Sequence, residues 1–177
     1  GTTLVLHAVP HTLCDRVMLV GLGKERDFRE KEYREAIKAS VRALGATAAV
    51  EAVSYITEIP VKKHDVTWMV QEAVVATLDV LYKFDRFKTK VEEHPRELRK
   101  LTLSVSRRSD LAEGETGLAR GLAVAGGMKL CRDLGNLPSN ICTPRYVAQT
   151  AESLATEYGV EAEIFDEDAI NALGMRT

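Results

Sequence analysis

The sequence lacks the features that would place it in a membrane or in a disulfide-bonded scaffold. It contains no run of 18 or more apolar residues, so no transmembrane helix is predicted. No signal-peptide pattern stands before Leu4-Val5-Leu6. The three cysteines, Cys14, Cys131 and Cys142, have no CxxC spacing. That pattern favours reduced, buried and unreactive thiols in a cytoplasmic protein over a disulfide framework or a nucleophile.

The sequence also lacks an excess of either charge. Its 24 Lys and Arg residues stand against 26 Asp and Glu residues, which gives a net charge of -2 in 177 residues. This balance provides no general attraction to nucleic acid. The composition, 45% hydrophobic and 28% charged, is typical of a globular protein with room for one good core, or for one domain and part of another.

Strand-like and helix-like segments alternate along the chain. The predicted elements are strands at 4–9 and 16–20, a helix behind an N-cap at Asp27 with Glu30 in a capping-box position, a strand at 50–57, a helix at 66–81, a strand at 98–105, a long helix at 111–134, a helix behind Thr143-Pro144, a short strand at 160–165 and a short helix at 166–173. This order predicts an α/β fold, with a mixed β-sheet flanked by helices on both faces.

The long predicted helix contains an unusual number of glycines, namely Gly114, Gly117, Gly121, Gly126 and Gly127. Each interior glycine costs a helix roughly 1 kcal/mol relative to alanine. We therefore expect a neighbouring element to pack too closely against this helix for a side chain. On this basis alanine at either Gly121 or Gly126 is expected to destabilise the protein.

One glycine-rich turn resembles a dinucleotide-binding loop. Gly21-Leu22-Gly23 follows an apolar strand, but Arg26 occupies the place of the third glycine that the fingerprint requires. No acidic residue stands about 20 positions further on, at Leu44 to Ala48, to bind a ribose. A plain turn between a strand and a helix is the favoured interpretation.

The histidines do not form a pattern of metal ligands. His7 and His11 are four residues apart, which spans about 13 Å on a strand and is too far for one metal ion. His64 and His94 have no Cys, His or Asp cluster at ligand spacing. We therefore predict no metal site among these residues.

No catalytic constellation is recognisable either. The sequence has no GxSxG motif, Glu92-Glu93 falls in a predicted loop, and Asp166-Glu167-Asp168 stands at the start of a helix, where negative charge is stabilising. The prediction for this chain is therefore that it contains no catalytic, cofactor-binding or metal-binding residue.

One stretch is locally basic. Residues 83–108 hold nine Lys or Arg residues against four Asp or Glu residues, with Phe84 and Phe87 among them. Such a stretch could bind the phosphate backbone of a nucleic acid such as DNA. A solvated loop between a helix and a strand is the more common origin of the pattern and is favoured.

A constrained turn near the C-terminal end carries the most specific signal. The segment "RDLGNLPSNICTPRYVA" resembles the connection between the two domains of leucyl (cytosol) aminopeptidases, a metallopeptidase family, in its bacterial branch. The matching residues are Asp133, Leu134, Asn136, Pro138, Asn140, Tyr146 and Val147. The resemblance extends to "TLVLHAVPHTLCDRVMLVGLGKE", "TEIPVKKHDVTWMVQEAV" and "EIFDEDAINALGM", and so spans essentially the whole chain.

The resemblance implies a domain organisation. Residues 1–110 would form an N-terminal α/β domain, similar to a macro domain and lacking its first elements. Residues 111–159 would form the long helix, the joint and a linker helix. Residues 160–177 would be the first strand and helix of a catalytic domain.

The resemblance also implies a function for the longer protein. Family members remove N-terminal residues, leucine among them, from peptides with two divalent ions, Zn or Mn, as hexamers in the cytoplasm. The family's ligands and catalytic groups follow the region matched here, so the expected role of this chain is assembly or regulation. A nucleic-acid-binding domain using residues 83–108 and a free-standing α/β interaction domain are the alternatives.

Overall fold

The computed structural model describes residues 1–89 and 97–175 and has an α/β architecture, as the sequence predicts. The strands are β1 (Thr3–His7), β2 (Arg16–Val20), β3 (Glu51–Ser54) and β4 (Lys100–Leu103), and the helices are α1 (Glu30–Ala46), α2 (Val66–Leu81), α3 (Leu111–Asn136), α4 (Pro144–Tyr158) and α5 (Glu167–Ala172). The chain divides into two compact units, Gly1–Lys129 and Leu130–Thr177. Among the described residues, no helix is both long and apolar enough to cross a bilayer.

The strands form two pairs. β1 and β2 make an antiparallel hairpin in which Thr3 lies opposite Val20, and β3 and β4 pair in parallel with Glu51 opposite Lys100. Both kinds of pairing expected of a mixed sheet are therefore present. In the described part of the chain they belong to separate two-stranded sheets, because no ladder of backbone hydrogen bonds joins β2 to β3.

The core of the first unit lies where α1 packs against α2. One face of α1 forms an apolar stripe that is buried at Tyr33, Ile37 and Val41. Met69 and Ala73 of α2 pack in the same cluster. Spacings of three and four residues place these side chains on one face of each helix, so burying the two faces together removes both from water.

The predicted start of α1 is wrong by two residues. Asp27 was expected to cap the helix with Glu30 as its partner, but Asp27 ends a short 3-10 turn and the N-cap is Arg29. The Arg29 backbone N–H donates to a carboxylate oxygen of Glu32 at 3.1 Å. The reciprocal half of a capping box is thus supplied by Glu32, which satisfies an amide that the first turn leaves without a helical partner.

The C-terminal unit contains α4 and α5. The Thr143 hydroxyl accepts from the Tyr146 N–H at 3.3 Å at the start of α4, with Pro144 in the first turn. Gly159, in the left-handed region at φ 68°, ends the helix. The start is the one that the sequence predicts, since proline tolerates the first turn. Glycine suits the left-handed cap because it has no side chain to clash there.

The short strand predicted at 160–165 is absent. These residues lie outside any ladder, and Val160, Ile164 and Phe165 are 59%, 45% and 41% exposed. A strand exists only when a neighbour completes its backbone hydrogen bonds, and the described residues provide none here. The short helix that follows is present as α5.

Tyr33 is the largest fully buried side chain of the described residues. Its relative exposure is 0%, and its hydroxyl donates to the Met69 carbonyl oxygen at 2.9 Å. Phe28 and Trp68 pack against its ring with centroids at 6.2 and 5.8 Å. Burial raises the pKa of Tyr33 well above the ordinary range, and the negative charge of Glu72 raises it further.

The raised pKa of Tyr33 predicts a loss of stability at high pH. In the unfolded chain the phenol ionises near its ordinary pKa of about 10, whereas the folded chain keeps the proton. The protonated Tyr33 phenol therefore makes its full contribution to the free energy of unfolding below about pH 10, and this contribution is lost as the pH rises above that value. We expect the free energy of unfolding to fall more steeply between about pH 9 and 11 in the wild type than in Tyr33→Phe.

Urea unfolding at a series of pH values checks this expectation. Tyr55→Phe is the matched control, because Tyr55 is 64% exposed and the variant also removes one phenol. Its unfolding free energy should follow the wild-type pH dependence. Parallel curves for the wild type and Tyr33→Phe would contradict the assignment.

Candidate functional site

The face of α3 that packs against α2 is built from glycines. A methyl group on Gly121 would lie 2.7 Å from the Val74 Cβ and 2.9 Å from the Gln71 carbonyl oxygen. A methyl group on Gly117 would overlap the Thr67 carbonyl oxygen. The Thr67 hydroxyl donates to the Glu113 carbonyl oxygen at 3.2 Å across the same contact. The close approach expected from the glycines is therefore present in the first unit.

The expectation does not extend along the whole helix. No described atom outside the local helix lies within 4 Å of a methyl group built on Gly126 or Gly127. The idea that Gly126 is needed for close packing is thus wrong. It lies at a different angle around the helix from Gly121, since five residues correspond to about 500° of rotation.

An apolar groove of about 490 Å³ lies beside this crossing, within the first unit. One wall is α2, with Val70, Val74 and Leu78, and the other is α3. The floor is β4 and its flanks. The remaining apolar lining residues are Leu81, Leu98, Leu101, Leu103, Val105, Leu111, Gly114, Leu118 and Leu122. A concave surface of this composition suits an apolar segment better than a polar small molecule.

The constrained joint belongs to the second unit and is held by backbone hydrogen bonds. The Leu137 N–H donates to the Asp133 carbonyl oxygen at 3.1 Å as α3 ends at Asn136, two residues beyond the predicted end at 134. The Ile141 and Cys142 N–H groups both donate to the Pro138 carbonyl oxygen at 2.9 Å. This pattern fixes the turn, as the proline and asparagines of the motif suggest.

The glycine-rich turn at Gly21 to Arg26 follows β2. It leads into a 3-10 turn at Glu25–Asp27 and not directly into an α-helix. Gly23 has φ 81°, a conformation that glycine adopts freely. A methyl group on Gly21 would lie 2.8 Å from the Thr2 hydroxyl, so this glycine accommodates the neighbouring strand. The interpretation as a plain turn stays a prediction, and this local geometry is consistent with it.

The histidines have separate environments. His7 and His11 are exposed at and beyond the end of β1. The His64 ring stacks on Trp68, with centroids 3.7 Å apart, and its Nε2 lies 2.7 Å from Glu30 Oε1. Sequence reasoning missed this cluster, whose one signal is the spacing of four between His64 and Trp68 at the start of α2. His94 lies outside the described residues.

The cysteines are more exposed than expected. Cys14, in the loop between β1 and β2, and Cys131, on α3, are exposed, and Cys142 is partly buried. The prediction of buried thiols is therefore wrong. A small apolar residue in an apolar sequence context is not thereby buried, because the side of the helix or loop on which it falls decides its exposure.

Of the two carboxylate clusters singled out in the sequence, one has a structural role and the other lies outside the described residues. The Asp166 carboxylate accepts from the Ala169 N–H at 2.9 Å and caps α5. Glu92 and Glu93 lie outside the described residues. In the described part of the chain, no group of three or more His, Cys, Asp or Glu side chains could hold a metal ion.

In the described part of the basic stretch, three of the seven Lys and Arg residues pair with acidic residues. Lys83 lies 2.5 Å from Glu97, Lys88 pairs with Asp85, and Arg107 lies 3.5 Å from a carboxylate oxygen of Asp110. Phe84 packs on Phe87 with centroids at 5.9 Å, and Phe87 remains 48% exposed. Residues 90–96 of this stretch lie outside the described residues. These contacts favour the solvated-loop interpretation.

Comparison with known proteins assigns the family. Residues 1–91 match the model of the cytosol aminopeptidase family's N-terminal domain, and residues 129–177 match the model of its catalytic domain. The chain belongs to the cytosol aminopeptidase family. The resemblance carried by residues 132–148 is thereby confirmed, and the two family models match in the order in which the sequence predicts the two domains.

Bacterial relatives cover the whole chain. A protein of Chromobacterium violaceum named "Probable cytosol aminopeptidase" is 66% identical over 177 residues, which are 100% of this chain and 34% of that protein. A protein of the same name from Dechloromonas aromatica is 51% identical over 177 residues and is covered to 36%. This cytosol aminopeptidase chain thus spans about a third of the length of these relatives and corresponds to their N-terminal third.

Solved structures of family members share the fold. The bottromycin maturation enzyme BotP in complex with Mn superposes with a TM-score of 0.78 at 21% identity, covering 98% of this chain and 34% of BotP. A tomato leucine aminopeptidase variant gives a TM-score of 0.76 at 20% identity, covering 98% of this chain and 33% of its own. At these identities the likeness establishes the fold alone.

Proposed function

We propose that this chain is the N-terminal, non-catalytic portion of a two-metal aminopeptidase that removes N-terminal residues, leucine among them, from peptides. The observation that carries the proposal is the order of the two family matches, an N-terminal domain over 1–91 followed by the opening of a catalytic domain over 129–177. The relative from Chromobacterium violaceum is 66% identical over all 177 residues of this chain, which supports the same assignment.

The metal ions of such an enzyme would be held elsewhere in the longer protein. We propose two divalent ions, Mn or Zn, for that protein, in line with the Mn bound to BotP. The residues described here do not fit a metal ion, since they offer no suitable group of three donors. No catalytic step is therefore assigned to a residue of this chain, and its catalytic, cofactor-binding and metal-binding residues are proposed to be none.

The role of the chain would be assembly and regulation in a cytoplasmic homo-oligomer, a hexamer in the longer protein. Within it we propose an N-terminal domain at 1–110, a long helix, joint and linker helix at 111–159, and the start of the catalytic domain at 160–177. The division into compact units falls between Lys129 and Leu130, inside α3, so this helix contributes residues to both units.

A chimera tests the parentage directly. This chain would replace the N-terminal third of the Chromobacterium violaceum protein, which it matches from end to end. We expect the chimera to hydrolyse leucine p-nitroanilide in the presence of Mn or Zn within about tenfold of the unmodified relative, because the domain contacts of a 66% identical segment are largely retained. The 177-residue chain alone should give no turnover above a blank preparation.

Two controls make the outcome decisive. The relative without its N-terminal third reports what its remaining part does alone, and light scattering compares the size of the chimera with that of the unmodified relative. A folded chimera without activity would contradict the parentage. Turnover by the 177-residue chain would contradict its non-catalytic role.

A further inference from the structure

The turn that leads into α2 contains a strained residue. Lys63 has φ 71°, in the left-handed region that residues other than glycine rarely adopt. Lys62 and Lys63 are exposed, whereas Val61 before them is buried in the core of the first unit. Backbone strain of this kind persists only where surrounding contacts hold it in place. Because both lysines are exposed, these contacts must come from the neighbouring residues.

His64, the next residue, supplies contacts of this kind. Its ring stacks on Trp68 with centroids 3.7 Å apart, and its Nε2 lies 2.7 Å from Glu30 Oε1 at the start of α1. Its backbone N–H donates to the Val61 carbonyl oxygen at 3.1 Å and closes the turn. The guanidinium of Arg34 on α1 lies 5.7 Å from the centroid of the same Trp68 ring. One side chain of the turn, that of His64, thus fastens it to α1 and to the first turn of α2.

The first turn of α2 also contacts α3. The Trp68 N–H donates to the Asp65 carboxylate at 2.8 Å, which caps α2. The adjacent residue, Thr67, has its carbonyl oxygen where a methyl group on Gly117 would overlap it, and its hydroxyl donates to the Glu113 carbonyl oxygen at 3.2 Å. Consecutive helical residues point about 100° apart, so Trp68 reaches α1 while Thr67 reaches α3. This one turn of helix therefore connects the His64 contacts with the closest approach of α3.

We propose that residues 61–65 form a latch on the first turn of α2, which His64 closes. In the closed latch the His64 contacts keep Lys63 in its left-handed conformation and hold the Thr67 carbonyl against α3. In the open latch His64 leaves its partners, Lys63 relaxes, and the first turn of α2 moves away from α3. This conformational device goes beyond the proposed aminopeptidase function and does not depend on it.

Two opposing contributions set the balance of the latch. The strain at Lys63 exists only in the closed form and therefore lowers the free energy of opening, whereas the His64 contacts raise it. Folded proteins open locally in this way at a lower cost than global unfolding. A change that acts on the His64 contacts would shift the two populations. Because α3 continues past Lys129 and contributes residues to both units, the latch acts on a helix that the units share.

Amide hydrogen exchange in low urea tests whether the latch opens by itself. The reporters are the N–H groups of Trp68 and Met69, which donate to the side-chain and carbonyl oxygens of Asp65 at 2.8 and 3.1 Å. Their exchange should be insensitive to urea, because a local opening exposes little surface. His64→Ala should speed it about tenfold or more, since the contacts that close the latch are lost. Reporter exchange that rises with urea in parallel with that of Ala76 would mean that the turn opens only on global unfolding, and would overturn the proposal.

Glycine substitutions in the turn test the role of strain. Lys63→Gly removes the clash of the left-handed conformation, and Lys62→Gly is the matched control, because Lys62 is an exposed lysine without a positive φ. Both variants add the flexibility of glycine, but only the first relieves strain. Reporter exchange should therefore be about fivefold or more slower in Lys63→Gly than in Lys62→Gly. Equal rates in the two variants would overturn the strained latch.

A comparison of two glycines of α3 tests the link from His64 to the α2–α3 contact. Gly117→Ala should lower the urea midpoint of unfolding by about half as much, or less, in a His64→Ala background as in the wild type, because the open latch lets Thr67 move away. Gly121→Ala is the control, since its methyl group meets Gln71 and Val74 beyond the first turn of α2. Its loss should be the same in both backgrounds.

Circular dichroism checks that each variant is folded, and the exchange measurement needs only single variants if a double variant does not fold. A Gly117→Ala loss that is unchanged by His64→Ala overturns the link to α3. An equal reduction at both glycines would show a general loosening of the helix contact and would overturn it as well.

Discussion

Alanine at Gly121 is expected to destabilise the chain by about 1–3 kcal/mol, the usual effect of inserting a methylene-sized group into a packed contact. The new methyl group would lie 2.7 Å from the Val74 Cβ and 2.9 Å from the Gln71 carbonyl oxygen, distances that real side chains do not adopt. Neither neighbour is the flexible end of a side chain. The two helices must therefore move apart, and the surrounding core loses contact.

Gly117→Ala should be at least as damaging. Its methyl group would overlap the Thr67 carbonyl oxygen and lie 3.0 Å from the Val70 Cβ. A backbone carbonyl in the first turn of α2 can shift only if the helix shifts with it. The hydrogen bond from the Thr67 hydroxyl to Glu113 spans the same contact and would be strained by that movement.

Gly126→Ala is the matched control in the same helix. No described atom beyond the local helix lies within 4 Å of its built methyl group, so the substitution meets open space. Alanine there should stabilise the chain by roughly 0.4–1 kcal/mol, mainly by restricting the unfolded state. Urea unfolding of the three variants, followed by circular dichroism, measures whether each substitution raises or lowers the free energy of unfolding. Stabilisation by Gly121→Ala, or an equal loss at Gly126, would show that the glycines do not act through this helix contact.

The glycine helix also shows what the sequence could have revealed. Gly114, Gly117 and Gly121 follow one another at spacings of three and four, which place them on one face of a helix. Gly126 departs from that spacing, so helical geometry alone separates it from the other three. Counting glycines predicted close packing correctly, but only their angular positions identify which of them make the contact.

Local patterns predicted the helices better than the sheets. Tyr33, Ile37 and Val41 mark α1 because the helical period is fixed by local backbone geometry, and Thr143-Pro144 marks the start of α4 for the same reason. Strand pairing depends on which distant segment supplies the partner. Sequence periodicity therefore could not predict that β3 pairs with β4, about 50 residues away in sequence. Nor could it predict that residues 160–165 lack a ladder of backbone hydrogen bonds.

The candidate surface was the least predictable part. Its groove is formed by leucines of α2, β4 and α3, residues that any core could contain. Only the three-dimensional arrangement shows that Leu118 and Leu122 remain 43% and 51% exposed. The joint, in contrast, was identified from its residues, because proline and asparagine in a tight turn are constrained by local chemistry.

Tyr33→Ala should produce the largest loss of stability at a single side chain, about 3–5 kcal/mol, as is usual when a buried aromatic residue is truncated. The ring is completely buried between Phe28 and Trp68, and its removal leaves a cavity between α1 and α2 that neither helix can fill with its existing side chains. Tyr33→Phe keeps the ring and removes only the hydroxyl that donates to the Met69 carbonyl oxygen. Because that oxygen lies inside α2 and keeps its helical partner, the phenylalanine variant should lose only about 0.5–1.5 kcal/mol at neutral pH. Urea unfolding at pH 7, followed by circular dichroism, compares the two variants with the wild type. Equal losses in the two variants would mean that the hydroxyl and not the ring stabilises this core, since packing of the ring predicts a clear gap between them.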